Sequence, residues 1–485
     1  MKLRNLLTLA GLFLSAGAYA LTLPGVVGSN MMLQQNSDAA LWGWAKPGST
    51  VRIRTSWDNK VYTAKADAAD GRWDVNVATP VASYQPVSIV IEGDGQTENL
   101  DNILIGEVWF ASGQSNMEMP VQGLPGTPMD GANDAIATAS ANKGKIRMYT
   151  APRVLFAQPQ KNTNGKWEEC TPDAVANFSA IGYFFAEKLQ QILNVPVGVI
   201  NCSYGGTCVE AWMPREIVAT YPDIDLSAVA QADAPGKNQY TAMYNGMLYP
   251  LAGYTVKGIL WNQGESNVGR HQTYAERLAQ MVEHWRGLWH NDSLPLYMVE
   301  IPPFHYTDSF NGTSGALLRE AQVKSLDLIP NSGIISSTDL QAPGEWWQIH
   351  PSIKKPAGDR LAYMAAVRDY GIPAIQCESP RYESIEITDN GKTAVIKLAH
   401  APFGLAPYRD IEGFEAAGAD KVFHPAKAEQ NFWHVPADMG LVRITCPEVD
   451  KIEAVRYRFK NYPDTKCAYN TRNLPLIPFR TDNWE

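Results

Sequence analysis

The chain has 485 residues, of which 45% are hydrophobic and 19% charged, enough for two or three domains with sizeable cores. Forty-one Lys and Arg stand against fifty Asp and Glu, a formal net charge of −9, and no Lys/Arg-rich run occurs. That balance argues against a nucleic-acid partner or an anionic membrane surface and favours a small neutral or polar substrate.

Residues 1–20 read as a secretory signal peptide: Lys2 and Arg4 form a basic start, residues 6–14 an apolar stretch, and Ala18-Tyr19-Ala20 a small-x-small cleavage site. No later stretch has the roughly 20 consecutive apolar residues of a membrane span, so the expectation is a periplasmic or secreted protein. Export makes disulfides possible among Cys170, Cys202, Cys208, Cys377, Cys446 and Cys467. Their spacing matches no zinc module, and six cysteines allow fifteen pairings. The loops 202–208 and 446–467 are the candidate bridges, with buried free thiols as the alternative.

Residues 21–100 alternate short β-rich runs (39–44, 50–54, 73–77, 87–91) with Gly, Pro and Asp turns, which predicts a β-rich N-terminal domain. Residues 101–376 change rhythm. Apolar runs at 103–110, 195–201, 256–261, 296–301 and 333–337 alternate with helical stretches, the pattern of an α/β domain with a parallel sheet covered on both faces. In 178–193, Ile181, Phe184, Phe185, Leu189 and Ile192 fall on one helical stripe. In 274–285, Leu278, Met281, Val282 and Trp285 do the same. Residues 120–172, rich in Gly, Pro, Asn and Thr with a β-like 147–150, predict a surface excursion near the site mouth, and 214–238 a polar insertion. Residues 377–485 return to alternating β runs at 384–387, 393–398, 441–444 and 454–459, a β-rich C-terminal domain.

Ligands of an open parallel sheet bind beyond the carboxyl ends of its strands, so the residues after each run carry the functional argument. These are Gly113-Gln114-Ser115-Asn116, then 201–207 with Gly205-Gly206, then 262–267 with Gln263, and finally Asp339 and the segment Trp346-Trp347-Gln348-Ile349-His350-Pro351. Taken singly, each has a plain structural use: Ser115 could cap a helix and Gly205-Gly206 could make a turn. Together they supply a nucleophile, a base and oxyanion donors, the parts needed for acyl transfer. Ser115 would attack an ester carbonyl and His350 would take its proton. The N–H groups of Ser115 and of Gly205 or Gly206, with the Gln263 carboxamide, would stabilise the oxyanion.

The blocks Gly113-Gln114-Ser115-Asn116-Met117, Gly205-Gly206-Thr207, Trp261-Asn262-Gln263-Gly264-Glu265-Ser266-Asn267 and Ile349-His350-Pro351, followed by Lys354, Gly358 and Arg360, resemble the SGNH-type sialate O-acetylesterase family. The ending 474–482 is similar too, so the resemblance spans nearly the whole chain after residue 20. It implies a central SGNH-hydrolase-like domain with β-rich flanks and removal of O-acetyl groups from sialic acids. It implies Ser115 as nucleophile, His350 as base, and Gly205 or Gly206 with Gln263 in the oxyanion hole. No metal and no cofactor are expected, and the partner is an O-acetylated sugar. One departure stands out. The aspartate that such families often carry two or three residues before the histidine is replaced by Gln348 and Trp347. Either a Ser-His dyad operates, with a carbonyl or Gln348 on Nδ1–H, or Asp339 or Glu345 supplies the acid. Trp346 and Trp347 are candidates for an apolar wall against the acetyl group or sugar ring. Rival readings are an acetyl esterase for plant polysaccharide such as acetylated xylan, a carbohydrate-binding protein with a decayed centre, and a metal hydrolase using Asp339, Glu345 and His350.

Overall fold

A computed structural model describes residues 20–227, 239–307, 312–430 and 439–484. The stretch expected to be a signal peptide, apart from Ala20, and the 228–238 part of the polar insertion lie outside the described residues.

The molecule is organised on one long strand, Gln96–Gly113. Its first half pairs antiparallel with Ser83–Gly93 and its middle parallel with Met32–Gln34. Its second half lies between two parallel neighbours, Val197–Ser203 and Gly258–Asn262. The domain boundary expected at residue 100 therefore falls inside a strand that the N-terminal β region and the central sheet share. Across the central sheet the order is Ser332–Ile335, Leu296–Val299, Gly258–Asn262, Gln96–Gly113, Val197–Ser203, Ile146–Thr150 and Trp167–Glu169, parallel throughout except for the last pair. The β-like stretch expected in a surface excursion, 147–150, is thus a strand of the central sheet, with its side chains from Ile146 to Tyr149 buried.

Side chains alternate across a strand, so successive residues of the apolar run feed opposite cores. Val108 and Phe110 join one cluster with Leu278, Met281, Val282 and Trp285 of the helix His271–Leu288. Trp109 and Ala111 join the other with Ile181, Phe184, Phe185 and Leu189 of the helix Ala180–Leu193. Phe110 meets Trp285 edge-on at 6.1 Å, and Trp109 meets Phe185 at 5.1 Å. Both helical stripes expected from the sequence are therefore core. The helix Ala180–Leu193 starts where the Ser179 hydroxyl accepts the Gly182 N–H at 3.0 Å, and it ends at Asn194 in the left-handed conformation.

Two further helices, Ser314–Leu328 and Lys355–Arg368, complete the layers. Lys355–Arg368 packs closely on Ala180–Leu193 at Gly358, where a Cβ would stand 2.7 Å from both Phe184 Cβ and Phe185 N. Beyond Arg381 two antiparallel four-stranded sheets enclose their own core around Ile396, Phe414, Val442 and Tyr457. This last region is tied to the helix Ser314–Leu328 by the Asn461 side-chain oxygen on Gly315 N–H at 2.6 Å and by Arg480 on Glu320.

The two candidate disulfide bridges do not form: all six thiols are free. Cys202 lies fully buried within a strand, whereas Cys446 Sγ faces Pro425 O at 3.5 Å and Cys467 Sγ faces Thr338 O at 3.7 Å. Among the described residues no helix is long and apolar enough to cross a membrane.

Candidate active site

The long strand ends at Gly113, whose φ of +136° belongs to glycine. A Cβ there would lie 2.0 Å from Asn262 O on the neighbouring strand, so the chain can break off beside Asn262 only without a side chain. Ser115 follows as the first residue of the short helix Ser115–Glu118 and stays half-buried, while Asn116 and Met117 go inward. Gln114 ties this turn to the third block: its N–H donates to Asn262 O at 2.9 Å, and its Oε1 accepts from Gly264 and Ser266 N–H, each at 3.3 Å.

Asn116 is the junction between nucleophile turn and histidine segment. Its Nδ2 donates to Glu265 Oε1 at 2.5 Å and to Ile349 O at 3.1 Å, and its Oδ1 accepts from Lys354 Nζ at 2.5 Å. Ser115 and His350 are thus the half-buried chain neighbours of two residues joined by one hydrogen bond. Glu265 and Lys354 are both buried. Burial pushes the Glu265 carboxyl up, and it pushes the Lys354 ammonium down to about 7 against the pull of Glu265 and Glu345. Burial, and after it the Lys354 charge, hold His350 down at about 4, so its imidazole is neutral and able to accept a proton through the neutral pH range.

Gly205 packs against the serine: a Cβ on it would meet Ser115 Cβ and Glu118 Oε2, each at 3.1 Å. Its N–H already donates to Glu118 Oε2 at 2.5 Å, and the other carboxylate oxygen pairs with Arg153. Of the two glycines expected to supply an oxyanion donor, Gly206 is the one whose N–H has no protein acceptor among the described residues. The Ser115 N–H has none either.

Gln263 occupies a different place from the one expected of it. It is fully buried, its Nε2 donates to Thr207 O at 3.1 Å and to Asn267 Oδ1 at 2.7 Å, and Tyr274 Oη donates to its Oε1 at 3.0 Å. With both protons used, the amide braces the second and third blocks from behind. Asn267 continues this brace to Glu210, a buried carboxylate held by Arg270 and Arg277.

The three residues considered for orienting His350 are also engaged elsewhere. Asp339 forms a two-pronged pair with Arg360 at 2.7 and 2.8 Å. Glu345 Oε2 accepts the N–H groups of Ala342 and Ser352, which closes the loop before the histidine. Gln348 accepts the His350 main-chain N–H at 3.1 Å and donates to Thr127 Oγ1 at 2.9 Å, so it fixes the backbone and not the ring. Among the described residues the imidazole has no side-chain or backbone hydrogen-bond partner, and no group of three or more His, Cys, Asp or Glu is placed to hold a metal. Trp346 and Trp347, 52% and 58% exposed, stand on the surface four and three residues before His350. The sequence carried no local sign of Glu118 or Arg153, because their partners lie 35 and 87 residues apart in the chain.

The chain is similar to known esterases over most of its length. A family model described as a carbohydrate esterase, sialic acid-specific acetylesterase, matches residues 105–366, a span that holds every block above. The crystal structure of a carbohydrate acetylesterase from Xanthomonas citri is similar over 96% of this chain and all of that one, with 32% identity and a TM-score of 0.84. A sialate O-acetylesterase of Pongo abelii is 25% identical over 94% of this chain and 92% of its own length; that of Homo sapiens is 24% identical over 74% and 73%. The protein is a carboxylic ester hydrolase acting on acetylated sugars, and the chain belongs to the carbohydrate esterase family of sialic acid-specific acetylesterases.

Proposed function

We propose that the protein removes O-acetyl groups from sialic acids, with Ser115 as nucleophile and His350 as general base. Ser115 Oγ attacks the acetyl carbonyl carbon while His350 takes the hydroxyl proton. The oxyanion settles on the N–H groups of Ser115 and Gly206, and its collapse expels the sugar oxygen, which receives the proton from His350. A water molecule, deprotonated by His350, then cleaves acetyl-Ser115 and releases acetate. Trp346 and Trp347 form an apolar wall beside the sugar ring.

The observation that carries the reading is the Asn116 to Ile349 hydrogen bond, which holds Ser115 and His350 on neighbouring main-chain segments at the carboxyl ends of the strands. That no carboxylate among the described residues contacts the imidazole favours a dyad. The family match and the relatives named as sialate O-acetylesterases support sialic acid as the alcohol. The test is acetate release from O-acetylated sialic acid beside acetylated xylan at equal acetyl concentration. A kcat/KM at least tenfold higher on sialic acid is expected; a preference for xylan contradicts the substrate assignment.

A further inference from the structure

A cavity of about 540 Å³ opens between the histidine loop and the C-terminal β region, within the range of small-molecule sites. On one side lie Asp339 and Gln341, at the start of the loop that ends in His350; on the other lie Arg458, Tyr462 and Tyr469. Gln341 links the cavity to the catalytic segment directly, since its Nε2 donates to Gln348 O at 3.0 Å.

An aromatic row joins the two places. Trp346 meets His305 edge to face at 5.4 Å, and His305 stacks on Tyr462 at 5.5 Å with 23° between the rings. The row runs from Trp346, four residues before His350, to Tyr462 in the cavity lining. The cavity's lining residues include both donors, Arg458 and Tyr469, and acceptors, Asp339 and Gln341. Behind this lining Arg458 Nε, Gln341 Oε1 and Thr338 Oγ1 are buried without a protein partner, although buried polar groups are ordinarily satisfied.

We propose that this cavity is a glycan subsite that takes the sugar residues linked to the acetylated one. A sugar hydroxyl both donates and accepts, which suits a lining of mixed sign, and the apolar face of a pyranose suits an exposed aromatic ring. A sugar attached to the one being deacetylated must also leave the active site along an adjoining surface, and the Trp346–His305–Tyr462 row is such a surface. The inference rests on the esterase site at Ser115 and names the rest of its substrate, a glycan chain in place of a free monosaccharide.

Two measurements test it. The first compares kcat/KM on O-acetylated sialyllactose and on free O-acetylated sialic acid in the wild type and in Tyr462→Ala. The wild type is expected to favour the longer substrate about tenfold, mainly through KM, and the variant to lose most of that ratio. Equal values in the wild type, or an unchanged ratio in the variant, overturn the subsite. The second is calorimetric binding of unacetylated sialyllactose and of xylotetraose, which needs no turnover. Binding of either one, weakened about tenfold in Tyr462→Ala, supports the subsite and identifies the glycan. Binding of neither, or binding that Tyr462→Ala leaves unchanged, overturns it even if acetate release proceeds, whereas glycan binding without acetate release faults the catalytic reading and leaves the subsite standing.

Discussion

The Lys354 ammonium donates to the Asn116 side-chain oxygen at 2.5 Å, inside the protein and four residues beyond His350. Through Asn116 this lysine reaches Glu265 and the Ile349 carbonyl, so a buried amine, a buried carboxyl and the amide between them clamp the nucleophile turn to the histidine segment. Removing the lysine leaves the Asn116 oxygen buried without its donor, at a cost of roughly 1–3 kcal/mol.

Lys354→Met is therefore expected to lower the melting temperature and to reduce kcat on an aryl acetate by about tenfold or more, through loss of alignment. Its pH profile carries a second sign. In the wild type the acid limb of kcat/KM should fall near pH 4, where His350 takes up a proton. Removing the neighbouring positive charge makes the imidazole easier to protonate. The limb should then move upward, part of the way toward the ordinary histidine value of 6.5, since burial, the larger cause, stays. A downward shift would contradict the arrangement.

Gly205→Ala places a methyl group 3.1 Å from Ser115 Cβ and Glu118 Oε2. The serine has to give way by a few tenths of an ångström, and kcat on aryl acetate should drop about tenfold with little change in KM, a loss of about 1.4 kcal/mol in the transition state. Steady-state kinetics at saturating substrate check this.

The fold was legible where apolar periodicity was clean. The run 103–110 and the stripes at 178–193 and 274–285 each resolved into the element expected. The helices Ser314–Leu328 and Lys355–Arg368 escaped because their buried faces are not apolar stripes. The first buries Arg319, Gln322 and Ser325. Gln322 holds Ile301 N–H and Gln263 O, and Arg319 faces the buried Glu300. The second buries Arg360 and mostly small residues, four alanines and Gly358 among them, with only Leu361 and Met364 as large apolar side chains. At the site, Ser115 and His350 stood out as candidates from their places after strands, and the structure brings their two segments together. The engagement of Gln263 with Thr207 and of Asp339 with Arg360 could not, since residue type alone does not say which partner a polar group takes in three dimensions.

Asp339→Asn separates the dyad from a triad using that acid. It breaks a two-pronged, largely buried pair with Arg360, so the melting temperature should fall. Activity per folded molecule should stay within a few-fold of wild type. A loss of about 10⁴ in kcat, the size seen when a triad aspartate is neutralised, would instead put Asp339 behind His350.

Trp347→Ala removes an exposed ring that makes no core. The fold should be untouched, while KM for an acetylated sugar should rise up to about tenfold, the worth of one aromatic contact of about 0.5–1.5 kcal/mol. Equal KM values in variant and wild type would return Trp347 to plain surface.

The central claim is that Ser115 carries the acetyl group. Initial rates of acetate release from an aryl acetate by purified wild type and Ser115→Ala, matched by circular dichroism for an intact fold, test it most directly. The expected result is a loss of at least about 10³ in kcat, with the remainder due to binding and the oxyanion donors. Acetate release by Ser115→Ala at a rate close to wild type would contradict it.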